Sequence, residues 1–343
     1  MNNKNKKNDI LEKEIYNNII NCKCIENNDN ILIGVSGGSD SMALLTYLNK
    51  SIDIFKKENN ITYNIAVAHV NHMLRKESKE EMEYVENFCL ERNIKFFKLE
   101  VDIFNLSKEN NLGTEEFARK VRNEFFNDIC EKYGYNKIAL AHNQNDNVET
   151  IILNILRGSG IKGLCGIEYK FKNIIRPLIE ITKDEINNYC DTQNVKYYID
   201  KSNLENIYTR NKVRNEFLPY IKKEFNPNFD KTILRLSNLA KLDEDFLDEY
   251  TSKLLDKIIV TKNENEIIIN TKSVLNEHLS IKNRIIRKVI YELLNNVDGV
   301  ESVHIKEIIK LLENNITNKQ FILGSKFKVT IIKKYTAKFK LNV

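Results

Sequence analysis

Six residues, Ser36-Gly37-Gly38-Ser39-Asp40-Ser41, stand between an apolar run, Ile31-Leu32-Ile33-Gly34-Val35, and an amphipathic run from Met42 to Leu48. Strand, glycine-rich turn and helix start in that order present backbone N–H groups and the positive end of a helix to a phosphate. The glycines let the backbone approach, the serine hydroxyls donate hydrogen bonds, and Asp40 is the residue type that holds the Mg²⁺ of a nucleoside triphosphate. Ser36 to Ser41 are therefore nucleotide-binding candidates, and Asp40 is also a catalytic and metal candidate. The run lacks the Lys-[Ser/Thr] ending of a Walker A loop, so the common NTPase chemistry does not apply.

Three further constellations carry reactive side chains. His142 precedes a helix whose apolar face is Val148, Ile151, Ile152 and Ile155, and Asp146 and Glu149 stand three apart in its first turns. Two carboxylates near a positive helix end suit metal or acid–base work; an ordinary acidic first turn beside a packed histidine is the alternative. Arg119 and Arg122 point away from the Phe117/Val121 stripe of their helix. They suit clamping a phosphoryl group or, equally, a solvated face. Arg210 and Arg214, downstream of Asp200-Lys201-Ser202-Asn203, form a basic turn that either holds RNA phosphates or caps the first domain.

The elements that must position these groups alternate. Apolar runs at Ile31 to Val35, Ile65 to Val70, Phe96 to Val101 and Ile138 to Ala141 read as buried strands, with a further strand near Phe171 to Ile175. Helical stripes separate them, among them Met42/Leu45/Leu48, Met82/Val85/Phe88/Cys89 and Phe117/Val121/Phe125/Ile129. An N-terminal helix around Asn8 to Cys22 and a helix opened by the capping box Thr182-Lys183-Asp184-Glu185 complete the expected pattern. The implied fold is α/β, a doubly wound, mostly parallel sheet with its site at the carboxyl ends of the strands. The loop, the residues His69, Asn71, His72 and Arg75 after the second strand, and His142 to Glu149 would converge there. Beyond Pro219 and Pro227 come long helices, Thr232 to Leu255, Ser280 to Leu294 and His304 to Glu313, then alternating strands with Phe327/Val329/Ile331 and Ala337/Phe339/Leu341 on one face. The expected division is residues 1–215 for a catalytic domain and 216–343 for a helical linker and smaller α+β domain.

Composition narrows the class. With 343 residues and 42% hydrophobic content the chain can build two cores. No apolar run approaches a membrane span and the polar N-terminus is not a leader, so a cytoplasmic protein without membrane contact is expected. The six cysteines show no Cys-x-x-Cys pair, and Cys22-x-Cys24 has the wrong spacing for zinc. The net charge of +5 is unevenly spread, because residues 314–343 hold seven lysines, Lys326, Lys328, Lys333 and Lys334 among them, and no acid. Either a nucleic-acid surface or a compositional bias toward lysine explains that cluster.

The ordered signposts are Val35-Ser36-Gly37-Gly38-Ser39-Asp40-Ser41, His69-Val70-Asn71-His72-x-Leu74-Arg75, Glu115-x-x-Ala118-Arg119-x-x-Arg122, Glu149-Thr150 with Leu156-Arg157-Gly158-Ser159-Gly160, Arg176-Pro177-Leu178, and Arg210-Asn211-x-x-Arg214. Together they resemble the tRNA(Ile)-lysidine synthetase family, within the PP-loop ATP pyrophosphatases, over nearly the full length. The resemblance implies a ligase that uses ATP, Mg²⁺ and L-lysine to convert the wobble cytidine of a CAU-anticodon isoleucine tRNA into lysidine. It implies ATP binding by Ser36 to Ser41 with His69, and catalytic roles for Asp40, Arg119, Arg122, His142, Asp146 and Glu149. Asp40 and Asp146 are the implied metal ligands. Arg210, Arg214, Lys326, Lys328, Lys333 and Lys334 are implied tRNA contacts, the C-terminal strands resemble the family's substrate-recognition domain at its first module, and a homodimer is left open. The family often shows His-His-x-Asp-Asp where this chain has His142-Asn143-Gln144-Asn145-Asp146. With Asp146 and Glu149 kept, activity is expected to survive that departure. The competing expectations are a tRNA-thiolating enzyme of the same superfamily, which would need catalytic cysteines or a cluster, and a non-catalytic RNA-binding relative.

Overall fold

The computed structural model describes residues 3–73, 78–110, 113–198 and 209–342, with side chains from Asn8 onward. Leu74, Arg75, Asp200 to Asn203 and Tyr208 lie outside the described residues. The chain divides into two compact units, Met1–Asn238 and Leu239–Val343.

In the first unit, α1 (Asn3–Asn21) leads to β1 (Asp29–Gly34), α2 (Ser39–Asn59), β2 (Tyr63–Asn71), α3 (Ser78–Leu90) and β3 (Lys95–Glu100). Helices α4 (Ile103–Glu109) and α5 (Thr114–Tyr133) precede β4 (Lys137–Ala139), α6 (Gln144–Leu156), α7 (Ile161–Leu164), β5 (Lys170–Phe171), β6 (Ile174–Ile175) and α8 (Lys183–Thr192). The strand order is β3-β2-β1-β4-β6-β5. Neighbours from β3 to β6 run parallel, and β5 alone is antiparallel at the edge. Central β1 shows why the sheet must be covered twice. Ile31 and Ile33 pack with α1, α2 and α8 residues such as Ile15, Leu44 and Ile186, while Leu32 packs with Ala66, Ala68, Phe126 and Ile129 on the other side.

The strand expected near Phe171 to Ile175 is a hairpin instead. Lys172, at φ +54°, turns the chain between β5 and β6, so the apolar run folds back on itself. The capping box at Thr182 is formed as its sequence indicated: Glu185 N–H donates to the Thr182 hydroxyl and Thr182 N–H to the Glu185 carboxylate. After the undescribed segment come α9 (Thr209–Lys212), a π-helical turn at Val213–Phe217, α10 (Leu218–Glu224) and α11 (Phe229–Ile258), within which the unit boundary falls.

The second unit holds β7 (Ile259–Lys262), β8 (Glu266–Asn270), α12 (Lys272–Leu275), α13 (Leu279–Leu294), α14 (Ser302–Asn314), β9 (Gln320–Leu323), β10 (Phe327–Lys333) and β11 (Thr336–Leu341). Its sheet is antiparallel throughout, in the order β7-β8-β11-β10-β9. Phe327, Val329, Ile331, Ala337 and Phe339 bury one face against Ile285, Val289, Ile305 and Ile308 of α13 and α14. The alternate positions of β10 and β11, including Lys328, Lys338 and Lys340, fall on the other face. Strands β7 and β8 escaped the sequence reading because each offers only a short apolar run, Ile259-Val260 and Ile267 to Ile269, with the polar residues Lys262 to Glu266 between them.

Candidate functional site

The loop from Ser36 to Ser41 follows β1 at its carboxyl end, where a doubly wound sheet places ligands. Gly37 sits at φ +88°, a conformation that costs a side-chain-bearing residue, and the next N–H, of Gly38, turns back to Ser36 Oγ at 3.4 Å. The loop braces itself: Ser36 N–H donates to Ser41 Oγ at 3.1 Å, and Ser41 Oγ donates to Gly38 carbonyl at 3.0 Å. Gly38 is the N-cap of α2 with no side chain to fill the helix end, so the first-turn N–H groups stay available to an anion.

Beside the loop opens a cleft of about 260 Å³ lined by Ser36, Asp40, Ser41, His72, Arg122 and His142, with Phe126 and Leu140 among the apolar residues of its wall. Gly34 belongs to the same wall, and a Cβ there would come within 2.8 Å of the Phe126 ring. Several polar atoms around this cleft are buried without a partner: Asp40 Oδ1, His72 Nδ1, His142 Nδ1, Arg122 Nε and, on the neighbouring β6 end, Arg176 Nε. Buried polar atoms of this kind are completed by water or by a ligand, and here five of them gather around one opening. Burial lowers the pKa of His72, with the Arg122 charge adding to it. Burial also takes His142 down to about 4, against an upward pull from Asp146 and with help from Arg176, Arg122 and Arg210. Both imidazoles are therefore neutral at pH 7. Burial first and Arg119 second lower the Arg122 pKa, which marks a guanidinium short of counter-charge.

The remaining expected residues divide. His69 is fully buried and donates Nδ1–H to the Val35 carbonyl at 2.8 Å, so it braces the strand beneath the loop. Arg119 is exposed, whereas Arg122 lines the cleft. Asp146 and Glu149 do come to the loop side, but with Arg210 and Arg214 laid across them. Arg210 donates Nε to Glu149 Oε2 at 2.8 Å and Nη2 to Asp146 Oδ1 at 3.1 Å. Arg214 donates Nε to Glu149 Oε1 at 2.5 Å and Nη2 to Asp146 Oδ1 at 3.1 Å. Burial works against the Arg214 charge, but the bonds to Glu149 outweigh it and hold its pKa above the ordinary value. The two arginines read as RNA contacts are thus engaged by the two acids read as catalytic. In the second unit, Lys328 and Lys340 are directly opposite on the open sheet face, Lys326 reaches back to the Asp298 carbonyl, and Lys333 and Lys334 flank the β10–β11 turn.

One partner was not foreseen. Lys183, at the first position of α8, places Nζ 2.7 Å from Asp40 Oδ2 and 2.9 Å from Ser39 Oγ. The Lys183 backbone N–H in turn donates to Asn145 Oδ1 at 3.0 Å. The two departures from the family pattern have structural uses: Asn143 is the N-cap of α6, in a capping box with Asp146, and Asn145 supplies the carbonyl that ties α6 to α8.

The residues test differently as Mg²⁺ ligands. Asp40 keeps one buried oxygen without a partner, which fits a cation whose other ligands are phosphate oxygens and water. Both Asp146 oxygens already accept N–H donors, from Asn143, Arg210 and Arg214. Among the described residues no group of three or more His, Cys, Asp or Glu is arranged to hold a metal by itself.

A braced glycine-rich loop over a helix start, at the carboxyl end of the central parallel strand, defines a protein of the PP-loop class, and the PP-loop domain family matches residues 7–221. Among solved structures, the U34-tRNA thiolase of Methanococcus maripaludis, determined with its 4Fe-4S cluster, shares this fold at a TM-score of 0.53 and 20% identity, over 67% of this chain and 78% of that one. The tRNA(Ile)-lysidine synthase of Clostridium tetani is 40% identical over 92% of this chain and 66% of its own length. That of Clostridioides difficile is 39% identical over 87% and 64%, and that of Caldanaerobacter subterraneus 35% identical over 95% and 68%. The chain belongs to the tRNA(Ile)-lysidine synthase family, and it spans about two thirds of the length of these relatives.

Proposed function

We propose that the chain forms lysidine on the wobble cytidine of a CAU-anticodon isoleucine tRNA, with ATP and L-lysine as co-substrates. The observation that carries this reading is the cleft itself, where neutral histidines and an unpaired guanidinium gather beside a phosphate-type loop. In the first step the cytosine 2-oxygen attacks the α-phosphorus of ATP; the bond to the bridging oxygen breaks and pyrophosphate leaves. The loop N–H groups and Arg122 stabilise the negative charge that develops. In the second step the lysine ε-amine attacks C2, the C2–O bond breaks and AMP leaves. The amine loses a proton on the way, and the role of accepting it is assigned to His142, neutral at working pH. Asp40 would hold Mg²⁺, which offsets triphosphate charge when bound.

The first unit is assigned the chemistry and the second the tRNA. Lys328 opposite Lys340 is a like-charge pair that sheets ordinarily avoid, and a polyanion on that face relieves it. No helix among the described residues is long and apolar enough to cross a membrane, which accords with cytoplasmic work on tRNA. Thiolation is less well supported: no cysteine lines the cleft, and burial pushes the Cys24 and Cys130 thiols up to about 11 and Cys89 and Cys190 up to about 12.

The test is incubation with ATP, labelled lysine and transcripts of the isoleucine and methionine CAU tRNAs. Label should enter the isoleucine tRNA alone, with equal release of AMP and pyrophosphate. Absence of label, or equal labelling of both tRNAs, would contradict the assignment.

A further inference from the structure

The phosphate-type loop contains no basic residue, and the cation that meets it comes from 143 positions downstream. Lys183 reaches the loop from α8, and two of its three N–H donors go to Asp40 Oδ2 and Ser39 Oγ, leaving one for a further acceptor. A plain structural tether explains this poorly. The pair is open to solvent, with side chains 40% and 29% exposed, and such pairs add little stability. The α2–α8 contact is already secured by buried Ile186, Tyr189 and Cys190, whose thiol meets the Ser39 carbonyl. What Lys183 adds is charge at one place. Without it, and with no Mg²⁺ bound, the loop would turn the carboxylate of Asp40 toward a polyanion at the positive end of α2.

We propose that Lys183 is a phosphate-binding residue of this site, supplying across space the ammonium that a Walker A lysine supplies from within its own loop. The proposal rests on the ATP reading above and deepens it. Lys183 cancels the Asp40 charge and directs its remaining donor to the pyrophosphate portion of the nucleotide. Asn145 positions it by holding its backbone N–H.

Binding measurements on the full chain separate these claims. Pyrophosphate in EDTA, ATP with Mg²⁺, and AMP are titrated calorimetrically into the wild type, Lys183→Ala, Lys183→Arg and the double variant Lys183→Ala/Asp40→Asn. Removing one charged donor should weaken pyrophosphate and ATP binding by roughly tenfold or more while AMP changes little, and Lys183→Arg should restore part of the loss. The double variant should stay weak for pyrophosphate, because neutralising Asp40 does not replace the lost donor. Equal pyrophosphate binding by the wild type and Lys183→Ala overturns the proposal, as does full recovery in the double variant. Parallel loss of AMP binding also overturns it, since that marks a merely structural role. If the wild type binds pyrophosphate through Lys183 but binds no ATP, the ATP reading fails while the phosphate role of Lys183 stands.

Discussion

Within the first unit, the carboxylate–guanidinium cluster of Asp146, Glu149, Arg210 and Arg214 and the cleft beside Ser36 to Ser41 are built on opposite terms. In the cluster both carboxylates accept several N–H donors, and Glu149 is only 1% exposed. In the cleft, His72, His142, Arg122 and Asp40 each keep a buried atom without a partner. A buried polar group costs little when paired and a great deal when not. The cluster is therefore closed chemistry that holds the π-helical segment against α6, and the cleft is open chemistry completed by a ligand.

The largest effect should come from opening the closed side. Glu149→Ala leaves two arginines, 32% and 37% exposed, facing Asp146 alone. Loss of one partner of a buried network costs roughly 3–5 kcal/mol, and solvent at the two guanidinium groups brings the expected loss to about 3 kcal/mol. Urea denaturation should show it as a marked drop in midpoint. A loss below about 1 kcal/mol would mean that the bonds to buried Glu149 add no more than a surface pair does, and the distinction between the two regions would fail.

The same treatment of the cleft should give the reverse pattern. Arg122→Met removes a guanidinium whose Nε is buried without a partner and whose charge is already disfavoured by burial and by Arg119. Folding stability should hold or rise slightly. In contrast, tRNA-dependent pyrophosphate release from ATP should fall by roughly 100-fold or more, as when a donor to developing phosphate charge is lost. Retained turnover with lowered stability would place Arg122 among the structural residues.

The contrast also explains what could and could not be read along the chain. The loop is six contiguous residues with strand and helix flanks, so its type and role were legible. The pairings that decide the rest span long separations: Lys183 meets Asp40 across 143 positions, and Arg210 and Arg214 meet Glu149 across 61 and 65. Spacing shows which groups share a helix face, not which distant charge arrives to neutralise them. Asp146 and Glu149 could be placed in a first turn, but their arginine partners could not. The missing Walker lysine was itself the one signal that a cation had to come from elsewhere. The turn that splits Phe171 to Ile175 into β5 and β6, and the edge strand β7, were obscured for a different reason, since two to four residues with charged neighbours carry too little alternation to register.

The smallest of these effects is a pH dependence that belongs to the open side alone. Burial holds His142 at about 4 in the folded protein, whereas in the unfolded chain it titrates near its ordinary 6.5. Below that ordinary value the unfolded chain takes up a proton that the folded chain refuses, so stability from neutral His142 is present above pH 6.5 and drains away as pH falls toward 4. Partial exposure screens the term, to on the order of 2 kcal/mol across the window. His142→Gln has no such proton to bind. Chemical denaturation from pH 7 to pH 4 should therefore show the wild type losing stability relative to His142→Gln, with the divergence starting near pH 6.5. Parallel curves would mean that His142 is protonated as easily folded as unfolded. Its ring would then be solvated as in the unfolded chain, and the open side would carry no burial cost at this residue.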